Sequence, residues 1–114
     1  MKIRTGFISN SSTSCFICAR WGKSEYNIKE ITKILQQMLD FYNDIEGAEL
    51  SFDEVFKKPK KATKDDFELL SYYDVSEKDI KGKTLIYGED DNSIPYMLHG
   101  LIEAKFKADR IHLG

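Results

Sequence analysis

The stretch GFISNSSTSCFIC, Gly6 to Cys18, passes without a break from hydroxyl-bearing side chains to apolar ones, and the rest of the chain is organised around it. Ser9, Asn10, Ser11, Ser12, Thr13 and Ser14 carry short side chains that compete for backbone hydrogen bonds, which disfavours helix. The segment up to about residue 13 therefore reads as a polar arm. Cys15 to Ala19 form a continuous apolar run with β-prone members, which predicts a central strand buried on both faces. Hydroxyls and backbone N–H groups beside such a strand can cradle an anion or meet a partner through Ser9, Asn10, Ser11, Ser12 and Thr13. Phosphate loops add glycine for close backbone approach and lysine for charge, and between Ile8 and Phe16 there is neither. A solvated arm is the simpler reading.

The C-terminal third supplies the second fold signal. Thr84 to Tyr87 is a short β-rich run, Glu89 to Ser93 a polar loop, and Pro95 sits where a helix can start. The helix that follows carries Met97, Leu98, Leu101, Ile102 and Phe106 on one side, and Arg110 to Leu113 makes a last strand. Strand, helix and strand in this order predict a β-α-β unit with its two strands parallel. The expected architecture is a single α/β domain over residues 1–114, with helices packed on a small, mostly parallel sheet of about three or four strands.

Ligands of open α/β sheets bind outside the carboxyl ends of strands, which makes the acidic loop the best site candidate. Glu89, Asp90 and Asp91 are hard oxygen donors suited to Mg²⁺ or Ca²⁺, and Asn92 and Ser93 can donate hydrogen bonds. His99 would lie about one turn into the following helix. Against this, acidic and small polar residues before a helix commonly satisfy its free N–H groups. His112 is expected to pack or hydrogen-bond at a strand end. One orientation separates the readings: with the first strand parallel to Thr84–Tyr87, the hydroxyl arm and the acidic loop lie at opposite sheet edges. An antiparallel first strand brings them to the same edge.

Between these ends the clearest helix starts at Asn27, with Glu30 completing a capping box and Ile28, Ile31, Leu35, Met38 and Tyr42 at helical spacing; Gly47 closes it. Ser51 with Glu54 predicts a short capped turn, and Thr63 to Tyr72 a second helix. Lys57, Lys58, Lys60, Lys61 and Lys64 gather around Pro59 as an exposed basic loop. It has neither the arginines nor the interleaved aromatics of a single-strand binder, so a solubilising role is the expectation. Cys15 and Cys18 read C-x-x-C, but residues three apart on a strand face opposite ways, so two buried thiols are expected rather than a disulfide or a metal site.

Arg4, Gly6, Phe7, Ser9, Asn10, Ser11, Ser12, Ser14 and Phe16 match an N-terminal pattern R-x-G-F-x-S-N-S-S-S-S-S-F, from which Thr13 and Cys15 depart. The opening thus resembles that of uncharacterised small proteins of bacteria, archaea and their phages, over about the first seventeen residues. The resemblance implies a prokaryotic or viral accessory protein and no particular activity. At 114 residues, 41% hydrophobic and 32% charged, the chain has the composition of an ordinary globular domain. A net charge of −2 argues against a dedicated nucleic-acid binder. No apolar run is long enough to cross a bilayer, and Met1 to Phe7 lacks the core of a secretion signal, so a cytoplasmic protein is expected. The expected role is that of an interaction module with no cofactor and a macromolecular protein partner, not a membrane, with a homodimer through an exposed sheet edge in view. The alternative is a small metal- or phosphate-dependent enzyme or ligand sensor working through Glu89–Ser93.

Overall fold

The computed structural model describes residues 13–20, 26–89 and 94–113. Among these residues the elements run β1 (Thr13–Ile17), α1 (Ile28–Glu46), α2 (Phe52–Val55), β2 (Lys60–Lys61), α3 (Lys64–Ser71), α4 (Glu77–Ile80), β3 (Thr84–Tyr87), α5 (Tyr96–Phe106) and β4 (Asp109–Leu113). Local chemistry accounts for most of their bounds. The Asn27 side chain accepts from the Glu30 N–H at 2.8 Å while Glu30 accepts from the Asn27 N–H at 3.0 Å, and Gly47 ends α1 in the left-handed region at φ 64°. Such reciprocal bonding satisfies two helix-end donors, and glycine enters that region without steric cost.

The sheet has the order β2-β3-β1-β4, and every pairing in it is antiparallel. This overturns the mostly parallel sheet expected from the sequence. β3, α5 and β4 do form a strand-helix-strand crossover, so β3 and β4 run the same way. They are not neighbours, because β1 lies between them and runs against both, with Cys15 opposite Tyr87 on one side and Ile111 on the other. A crossover pattern in sequence sets the relative direction of its two strands and leaves open which strand separates them.

β1 is the centre of the molecule. Cys15, Phe16 and Ile17 are fully buried, as a strand covered on both faces requires. Phe16, Cys18 and Ile86 face a core layer built with Ile31, Leu35 and Leu39 of α1 and Leu98, Ile102 and Phe106 of α5. Cys15, Ile17, Leu85 and Tyr87 face a second layer with Leu70, Val75 and Ile80. The two thiols thus lie in different layers and are unbonded, and burial pushes each up to about 12. Both are therefore held as neutral thiols at neutral pH. No described helix is long and apolar enough to cross a membrane.

The predicted basic loop also needs correction. Lys60 and Lys61 are backbone-paired to Leu85 and Thr84 as edge strand β2, and Pro59 before them is buried. Backbone pairing to β3 overrides the loop-like composition. Met97 and Leu101 were expected on the packed side of α5, yet they are 37% and 39% exposed, because Leu98, Ile102 and Phe106 alone reach the core.

Candidate basic site at the end of the sheet

Because β1 is antiparallel to its neighbours, its first residues lie beside the last residues of β3 and β4. The Gly88 N–H donates to the Ser14 carbonyl at 2.9 Å, and the Glu89 N–H donates to the Val55 carbonyl at 2.9 Å. The attachment points of the hydroxyl arm and of the acidic loop therefore adjoin. Ile94 closes over the same point: a Cβ on Gly88 would stand 3.1 Å from Ile94 Cγ1, so glycine there allows the close approach.

α5 begins at this edge and carries His99 one turn in. The ring is held from several directions. Its Nε2–H donates to the Ile94 carbonyl at 3.1 Å, which leaves Nδ1 to accept from the Arg110 Nη1–H at 2.7 Å. Phe16 meets it edge-on at 5.7 Å between ring centroids, and Tyr96 leans on it at 5.3 Å. Burial, and then the charge of Arg110, hold His99 below the usual histidine range, so it is neutral at pH 7.

The consequence falls on Arg110. Its guanidinium is exposed and is steadied by a neutral imidazole, and among the described residues it makes no ion pair with a carboxylate. Strand alternation puts His112 on the same face two residues on, opposite Ser14 of β1. His112, expected to pack or hydrogen-bond at a strand end, is exposed rather than packed, because β4 is an edge strand. An arginine fixed at one nitrogen keeps its remaining donors in a planar fork, the geometry that recognises carboxylate or phosphate.

The residues singled out from sequence are distributed as follows. Ser9, Asn10, Ser11 and Ser12, and Asp90, Asp91, Asn92 and Ser93, lie outside the described residues. Thr13 is the first residue of β1 and pairs with Leu113, and Glu89 is half-buried at the loop entry. Lys57, Lys58, Lys61 and Lys64 are exposed; Lys61 belongs to the edge strand β2 and Lys64 to α3, while the Lys57 N–H donates to the Tyr87 carbonyl at 2.9 Å, beside the entry to the acidic loop. Lys60 is turned to Asp66 at 3.0 Å. No group of three metal-ligating side chains gathers among the described residues.

Two groupings were missed from sequence. The alternation of Arg110 and His112 was a readable sign of a basic strand face, but the contact with His99 is tertiary. Asp66 read as a first-turn helix acid; in the fold it is buried and accepts from the Thr63 N–H at 2.8 Å, the Thr63 hydroxyl at 3.0 Å and the Tyr87 hydroxyl at 2.8 Å. Burial alone would raise its carboxyl, yet these bonds and Lys60 outweigh burial and hold it below the ordinary range. Tyr87 is pushed up by burial, then by the neighbouring Cys15 and Asp66. Comparison with protein-family models, with curated proteins and with solved structures returned no match to the chain.

Proposed function

We propose that this protein is a binding module of the cytoplasm, whose Arg110 takes a carboxylate on an acidic segment of a partner protein. The observation that carries this reading is the exposed guanidinium held at 2.7 Å by neutral His99, with no carboxylate paired to it among the described residues. Tyr96, 83% exposed beside His99, and the exposed Met97 add apolar contact of the kind enriched at protein interfaces. The N-terminal resemblance to small prokaryotic and phage proteins fits an accessory role of this sort. The overall charge of −2 favours a protein over nucleic acid as the source of the anionic group.

Fluorescence anisotropy with a labelled glutamate-rich peptide tests the reading, alongside a lysine-rich peptide and a single-stranded DNA. The acidic peptide should bind, more weakly as salt rises, and Arg110→Gln should weaken it about tenfold or more, the loss of one charged hydrogen bond. Equal binding by wild type and variant would remove Arg110 from the function. Preference for DNA would replace the protein partner with nucleic acid.

The direction of β1 also supports a second reading, a metal- or phosphate-dependent enzyme or ligand sensor, because the hydroxyl arm and the acidic loop now attach at one edge. Thermal unfolding against Mg²⁺, Mn²⁺, Ca²⁺ and nucleotides tests it. A ligand at a hundred times its dissociation constant stabilises by about 2.7 kcal/mol, which raises the midpoint by roughly 10 °C in a domain of this size. The shift should vanish in Asp90→Ala/Asp91→Ala. An unmoved midpoint across the panel rejects this reading.

A further inference from the structure

The two long helices on the sheet differ in what they show to solvent. Along α1 the exposed positions are mostly charged, among them Lys29, Lys33, Asp40 and Asp44. α5 buries Leu98, Ile102 and Phe106, yet its exposed side carries Tyr96, Met97, Gly100, Leu101 and Ala104, with no charge among them. At 3.6 residues per turn these five occupy one continuous face opposite the buried one. A surface helix ordinarily keeps polar residues there, and an apolar face left open and rimmed by charge marks an interaction site. The rim is Arg110, held by His99, which adjoins Tyr96 on the helix surface.

We infer that this face receives an acidic amphipathic helix of the partner protein, whose apolar side lies along α5 and whose carboxylate reaches Arg110. The inference rests on the reading of Arg110 as a carboxylate site and adds the form of the segment that carries the carboxylate. Gly100 and Ala104 continue the row that Tyr96 begins, and a Cβ on Gly100 would meet nothing within 4 Å outside its own helix. Met97 and Leu101 form the row on one side, His99 and Glu103 the row on the other. Small residues between two such rows make a trough into which a ridge of a second helix packs. A helix also satisfies its own backbone hydrogen bonds, which an extended segment on an apolar face would leave unpaired. The acidic character follows from charge complementarity, because the exposed guanidinium beside the trough has no carboxylate paired to it among the described residues.

The test is fluorescence anisotropy with a labelled peptide of leucine and glutamate at helical spacing, against a shuffled peptide of the same composition that has no apolar side. Wild type should bind the helical pattern about tenfold more tightly, since only that peptide covers the apolar face while its glutamates reach Arg110. Gly100→Gln fills the trough and replaces a glycine in mid-helix, so it should raise the melting midpoint and yet abolish the preference. Leu101→Gln, on the exposed row beside it, should also abolish the preference, and it decides the matter if Gly100→Gln folds poorly. Arg110→Gln should weaken both peptides. Equal binding of the two peptides by wild type, or a preference that survives both Gly100→Gln and Leu101→Gln, overturns the inference and leaves the carboxylate reading standing. Binding of neither peptide, or binding that Arg110→Gln does not weaken, overturns both. A wild-type mass of twice 13.2 kDa that falls to 13.2 kDa in Leu101→Gln gives the face to a second copy and overturns the inference as well.

Discussion

Phe16→Ala is expected to lower the free energy of unfolding by about 3–5 kcal/mol, the loss typical when a buried aromatic ring is cut back to a methyl group. Phe16 is fully buried in the middle of the central strand, where it belongs to the layer between the sheet and helices α1 and α5. The backbone around it is held by pairs on both sides, to Ile86 and to Arg110, so the cavity cannot readily close. A domain of this size has about 5–15 kcal/mol in total, so the variant should unfold at a clearly lower denaturant concentration than wild type. Urea unfolding against Phe41→Ala provides the scale. Phe41 is 55% exposed, and its truncation should change stability by only about 0.5 kcal/mol. Similar losses for the two variants would contradict the central placement of β1. The same change removes the ring that His99 meets edge-on, so Arg110 should lose part of its support even in the fraction that stays folded.

Removing the Asp66 carboxylate should have the next largest effect. Asp66→Ala strands the buried Tyr87 hydroxyl and the Thr63 donors and leaves Lys60 without its acid, a cost of about 2–4 kcal/mol. The pH dependence follows from the lowered carboxyl. A group whose folded value lies below its unfolded value adds stability that is fully present above the unfolded value, about 3.9 for aspartate, and is lost as pH falls through the folded value. Wild type should therefore lose stability on acidification below about pH 4. Asp66→Asn should start lower and change less over that range. Parallel slopes for wild type and Asp66→Asn would show that other carboxylates govern the acid limb.

Much of the local structure was legible because its causes lie within a few residues. The Asn27–Glu30 box, the Gly47 stop and the apolar spacing of Ile31 and Leu35 depend on neighbours in the chain, and α1 has the expected start and end. The runs around Phe16, Ile86 and Ile111 are strands as their composition implies. The candidate site was legible only in part. His99 stood out as a helix residue near the sheet end, but its worth comes from Arg110, eleven residues away and on another element. Asp66 had the ordinary look of a helix-start acid until Tyr87 and Lys60 were brought to it.

Backbone capping and hydrophobic periodicity, which act over single turns, determined where this chain forms helices and strands and which side chains are apolar enough to be buried. The order of the strands belongs to the tertiary structure alone. A crossover from β3 to β4 makes those two strands run the same way whether they touch or stand apart. Only the burial of β1 on both faces, between them and against their direction, made the sheet antiparallel and set the beginning of β1 beside Gly88.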